Sequence, residues 1–203
     1  MKNITSFIFL ICSVAVIIVS CAEKEESTTA ADAAATPAIS SFNGTFIGTC
    51  AGADAKTFKM VIADTTAAEG RLIYSDSACS TKKWGYTLNY TVTSTATATE
   101  EGGKSVTKIE GTTTTSFITL YTDAYVSNAN DGSGWCGKTD WVKDTAQNVS
   151  GVDCSNSLGL TFGTAGIKKY DIWYLSGNTF MNSGAFDSEG YASSLDDLIY
   201  TKE

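Results

Sequence analysis

Trp84-Gly85-Tyr86-Thr87-Leu88-Asn89-Tyr90-Thr91-Val92-Thr93 decides the fold, because Tyr86, Leu88, Tyr90 and Val92 alternate with Thr87, Asn89, Thr91 and Thr93. A repeat of two is the signature of a strand with one buried and one wet face. The pattern runs on in small and β-branched residues to Thr99, meets Glu100-Glu101-Gly102-Gly103, and resumes from Ser105 to Tyr121. Gly-rich punctuation between two such runs reads as a hairpin turn. Upstream, Phe58, Met60 and Ile62 alternate with Lys59 and its neighbours; downstream, Ser176-Gly177-Asn178 separates Lys168–Leu175 from Thr179–Asn182. Strands are expected near 43–50, 56–63, 70–76, 84–98, 105–120, 158–163, 168–175, 178–183 and 196–202. Successive hairpins make a meander, and long Thr-rich strands with unpaired edges are best protected by closure. The expected fold is therefore all-β: an antiparallel up-and-down barrel of about 8–9 strands in one domain, residues 41–203.

Asp123 to Asp153 breaks the alternation with clusters of Asn, Asp and Gly. It is expected to form a long ordered loop, with one helical turn near Asp123–Asn128. Asn128–Gly134 resembles a calcium loop only superficially, since Ser127 and Ala129 stand where the first and third ligands belong; a turn suffices. The chain has no His, which removes Ser-His-Asp and Cys-His chemistry and every His-ligated metal. An enzyme here would have to work through carboxylates, Lys or Tyr, so a non-enzymatic role is favoured and no cofactor is expected. The net charge of −8 excludes the basic footprint that nucleic acid needs.

The amino-terminal segment carries a separate message. Lys2 precedes an apolar run, Phe7 to Val19, of secretory-signal length. Ile18-Val19-Ser20-Cys21 resembles the bacterial lipobox. That resemblance implies a signal peptide over 1–20, cleavage before Cys21, and lipidation of its thiol. Several acyl chains would then make a stable membrane anchor where one would not. Residues 21–40, with Glu23, Glu25 and Glu26 followed by Ser, Thr and Ala, show no hydrophobic period and read as a flexible tether. The resemblance places the domain in the cell envelope, lipid-anchored, and Ala22 after the Cys favours an outer membrane.

An exported domain is expected to pair its cysteines. Cys50, Cys79, Cys136 and Cys154 remain after processing and admit three pairings. Cys50 with Cys79 would tie the opening strand to a later turn, and Cys136 with Cys154 would staple the long loop onto itself. No two lie two to four residues apart, so no zinc site is expected. Around these residues Gly44-Thr45-Phe46 leading to Cys50, and Tyr74-Ser75-Asp76 leading to Cys79, resemble lipocalin-like exported domains, including the lipid-binding barrels of the adenomatosis polyposis coli down-regulated family. Phe46 stands where that family usually has Trp. The resemblance implies a lipocalin-like barrel whose mouth accepts a small apolar ligand. Phe58, Tyr74, Trp84, Tyr86, Tyr90, Tyr121 and Trp173 are the candidate lining, with Trp135 and Trp141 beside the loop cysteine. The expected role is a binding module for a small hydrophobic molecule; a structural or adhesive protein with a filled barrel and a carboxylate-based hydrolase are the alternatives. Oligomeric state is left open.

Overall fold

The structure is a computed structural model and describes residues 36–50, 55–184 and 186–203. The expected signal segment, Cys21 and the expected tether up to residue 35 lie outside the described residues. Among the described residues the strands are β1 (Gly44–Gly48), β2 (Lys56–Ala63), β3 (Thr66–Tyr74), β4 (Lys82–Thr99) and β5 (Ser105–Leu120). After helix α1 (Asp123–Asn130) come β6 (Gln147–Asn148), β7 (Asp153–Cys154), helix α2 (Ser155–Leu158), β8 (Leu160–Thr161), β9 (Lys168–Ser176), β10 (Thr179–Met181) and β11 (Tyr200–Lys202).

Eight of these strands close an antiparallel barrel in the order β1-β2-β3-β4-β5-β9-β10-β11, with β11 returning to β1 through Phe46 opposite Lys202. Every barrel neighbour is next in the meander, as the run of hairpins implies. Closure leaves the barrel no free edge. The short strand β6 is a ninth member, paired to Phe117 and Ile118 of β5 beyond the stretch of β5 that β9 occupies.

The two ends differ. The turn end holds three tight connections, at 64–65, 100–104 and 177–178. Glu100 stabilises the second by accepting the backbone N–H groups of Gly102 (2.8 Å) and Lys104 (2.9 Å). A 3-10 turn, Ile39–Phe42, plugs this end, with Phe42 packed edge-on against Trp173 at 5.4 Å. Asn43 fastens the plug to the Asp64 turn through Asp64 N–H (2.8 Å) and the Asp64 carboxylate (3.1 Å). Lys202 Nζ donates to Asn43 O (2.7 Å). The opposite, loop end carries the connections 49–55 and 75–81 and the excursion 121–167.

Phe46, Met60, Ile109, Trp173, Phe180 and Tyr200 fill the middle of the barrel at 1 % exposure or less. Phe186, from the β10–β11 connection, enters between Tyr90 (4.3 Å between centroids) and Trp173. It passes over Gly111, where a Cβ would lie 2.8 Å from its ring, so the absence of a side chain there is what admits the ring.

Both expected cross-links are present, Cys50–Cys79 and Cys136–Cys154. The second staples a lid. This lid, residues 121–162, packs on Trp84, Tyr86, Ile118 and Leu120, where β4 and β5 extend toward the loop end. Helix α1 is capped by Thr122, whose hydroxyl accepts Tyr125 N–H, and runs two residues past the expected turn. Its last residue, Asn130, clasps the backbone of Trp141 through both side-chain atoms (2.8 and 3.0 Å).

Three expectations change in detail. β3 begins at Thr66 rather than near 70. The expected strand 158–163 is a two-residue ladder, Leu160–Thr161 against Asp153–Cys154, outside the barrel. The last strand shortens to 200–202, because the chain before it bends away to reach the β4–β5 turn, where Glu101 N–H donates to Ser193 O (2.9 Å).

Candidate functional site

The inner face of the barrel is stacked in rungs set by strand register. Phe58, Arg71 and Tyr86 form one rung, Met60, Glu69 and Leu88 the next, and Ile62, Ala67 and Tyr90 the one nearest the turn end. The two rungs toward the turn end are packed against the central aromatics. Above the Phe58 rung, Lys56, Ile73 and Trp84 form the rim, and between rim and lid lies an open chamber of about 480 Å³. Arg71 and Tyr86 form its floor. Trp84 and Ile73 line one wall, and Tyr125, Leu158 and Leu160 of the lid line the other. A chamber of this size, whose wall sets aromatic and aliphatic side chains beside Lys56, Arg71, Lys83 and the Ser75–Ser77 turn, suits a small ligand.

Of the expected ligand-contacting residues, three line the chamber: Tyr74, Trp84 and Tyr86. Trp135 stands behind them, edge-on to Trp84 at 6.2 Å and to Tyr125 at 5.7 Å. Phe58 lies under the guanidinium of Arg71, 4.3 Å from ring centroid to Cζ. The remaining four sit elsewhere. Tyr90 and Trp173 belong to the packed centre. Trp141 is buried inside the lid, its indole N–H donating to the carbonyls of Lys138 (3.1 Å) and Trp135 (3.3 Å). Tyr121 lies beside Lys82, whose ammonium is 5.4 Å from its ring, in a shallow groove with Lys59, Val61 and Leu72. Arg71, Tyr125, Leu158 and Leu160 were not expected at the site; the strand phase Ala67-Glu69-Arg71-Ile73 is the signal that places Arg71 inside.

Two carboxylates are buried below the chamber floor. Asp171 is fully buried and accepts from Ile172 N (2.7 Å), Trp173 Nε1 (2.7 Å), Asn182 Nδ2 (3.2 Å), Ser183 N (3.0 Å) and Ser183 Oγ (2.6 Å). Desolvation pushes it up to about 6, while the donors of Ser183, Trp173 and Ile172 pull the other way. Four of its five contacts come from groups that only donate, which suits the ionised form. Glu69 is less well served. Burial, reinforced by the charge of Asp171, pushes it up to about 7 against the pull of Arg71 and of Phe186 N–H, and its Oε2 has no hydrogen-bond partner.

Neither acid lines the chamber. Among the described residues its carboxylate is Asp76, both oxygens of which accept turn amides, Ser80 N (3.0 Å) and Thr81 N (2.8 Å). Those bonds hold it below the usual carboxylate range. Glycoside hydrolysis of the usual kind needs two carboxyls facing across the substrate; among the described residues the chamber lining carries Asp76 alone.

No protein-family model and no curated protein matches the chain. The reading of the site therefore rests on its geometry.

Proposed function

We propose that this chain is an exported lipoprotein, anchored in the cell envelope through acylated Cys21, whose barrel serves as a non-enzymatic binding module for a small hydrophobic ligand. The observation that carries the reading is the division of the barrel interior. Its middle and turn end are packed solid, whereas the loop end keeps an aromatic-lined chamber of about 480 Å³ beneath a disulfide-stapled lid. Packing of the middle supports the lid end as the place of binding, since a rigid floor holds the lining side chains in position. The outer membrane is the favoured location, by the residue after the lipidated Cys, and the tether would let the barrel reach away from the lipid surface.

N-phenyl-1-naphthylamine, an uncharged aromatic probe whose fluorescence rises in apolar surroundings, tests the binding step. Saturable one-to-one binding is expected, weakened at least tenfold in Leu160→Asp, which sets a charge in the chamber wall. Absence of saturable binding would favour the structural or adhesive alternative, which the packed barrel centre also suits. The anchor has its own test: Cys21→Ser is expected to abolish incorporation of radiolabelled fatty acid, and persistent labelling would refute processing at that site.

A further inference from the structure

Arg71 is the one side chain of the chamber floor whose chemistry the fold leaves incomplete. It sits on the inner face of β3, between Phe58 and Tyr86 in one rung, its Cζ 4.3 Å and 5.9 Å from their ring centroids. Those faces attract the positive charge but take none of its in-plane N–H groups. Its Nε is buried without a hydrogen-bond partner. Among the described residues no carboxylate lies within 4.0 Å of its guanidinium. Glu69, one rung deeper, feels its charge through space and bonds the Phe186 amide instead. A buried donor without an acceptor is expensive, and a guanidinium more so than a neutral group.

The charge around the chamber has the same sense. Among the described residues Lys56 and Lys83 line it with Arg71, and the acid there is Asp76, which the 75–81 turn already occupies. This cationic mouth belongs to a chain of net charge −8, so it does not follow from the overall composition. Guanidinium groups match the planar two-oxygen edge of a carboxylate or related oxyanion.

We infer that the chamber takes an amphipathic acid, with one anionic head on the guanidinium of Arg71 and an apolar body against Trp84, Tyr86, Tyr125 and Leu160. The inference rests on the binding role proposed above and specifies its ligand class. Ordering follows from the geometry: the head lies at the floor, the body fills the space between rim and lid. Lys83, on the chamber lining, then helps draw the anion toward the mouth.

The experiment compares two probes of shared aromatic framework, 1-anilinonaphthalene-8-sulfonate and uncharged N-phenyl-1-naphthylamine. The unmodified protein is expected to bind the sulfonate on the order of tenfold more tightly at low ionic strength, the gain typical of a charge-assisted hydrogen bond, with the advantage shrinking as salt is added. Arg71→Met is expected to erase that advantage, read as the ratio of the two affinities within the same variant, while Arg71→Lys keeps most of it. Circular dichroism checks that each variant is folded. Should Arg71→Met fail to fold, the probe ratio in the unmodified protein and in Arg71→Lys decides. Equal affinities for the two probes, or an advantage that survives Arg71→Met, would overturn the inference and leave the binding role intact. Failure of both probes to bind would remove the binding role as well.

Discussion

Glu69→Gln isolates the energetic burden of the acid below the chamber. The substitution keeps shape and keeps an oxygen able to accept Phe186 N–H, and it removes the charge. In the fold the carboxyl holds its proton up to about pH 7, against 4.5 for a free Glu. The folded form therefore binds the proton more tightly than the unfolded chain. Stability contributed by this group is present in full below about pH 4.5, declines as pH rises toward 7, and is level above that. Ionising the buried carboxylate costs on the order of 3 kcal/mol across that window. Gln carries no such burden. Urea unfolding with the disulfides intact, at pH 4.5 and at pH 8, reads the difference: Glu69→Gln is expected to be close to the unmodified protein at the lower pH and more stable by on the order of 3 kcal/mol at the higher one. Asp171 is common to both proteins and largely subtracts out. Equal loss of stability in both on going from pH 4.5 to 8 would refute the claim that Glu69 is buried with its charge uncompensated.

Further expectations concern the packing that shapes the chamber. Gly111→Val places a branched side chain where a Cβ already lies 2.8 Å from the Phe186 ring; a loss of about 1–3 kcal/mol is expected in denaturant unfolding, with increased protease cleavage in the 182–199 connection. Phe180→Ala, in the centre of the barrel, is expected to cost about 3–5 kcal/mol by the same measurement. Replacing Cys136 and Cys154 together by Ala opens a loop of 18 residues and is expected to remove about 3 kcal/mol. Amide exchange in that variant should rise across 121–162 and stay slow in β2 and β3, and uniform acceleration would show that lid and barrel unfold as one unit.

Much of the barrel could be read from residues alone because its longest strands are amphipathic at period two. Tyr86-Leu88-Tyr90-Val92 faces inward as its alternation requires. Leu158, Leu160 and Phe162 show where such reading stops: their alternation correctly implies burial, yet they pack into the lid core and not into the barrel wall. Periodicity reports which face is buried and not which partner covers it. The start of β3 is obscured for a different reason. Thr66-Ala67-Ala68-Glu69 is poor in β-formers, and its strand state comes from pairing with β2 and β4 on both sides, a tertiary effect that overrides propensity. The chamber was half visible. Its aromatic wall follows from strand phase, whereas Tyr125 and Leu160 arrive by a chain reversal whose path only the assembled lid defines. Tyr90 and Trp173 have the same residue types as the true lining, and only their depth relative to the plug and Phe186 separates core from site.

Mass spectrometry of the lipids and small molecules that accompany the intact protein, isolated from its own organism without detergent exchange, bears most directly on the proposed role. A small apolar acid bound at one per chain, and displaced by N-phenyl-1-naphthylamine, is the expected result. A protein recovered free of any such molecule, and unable to take one up from a total lipid extract, would contradict it.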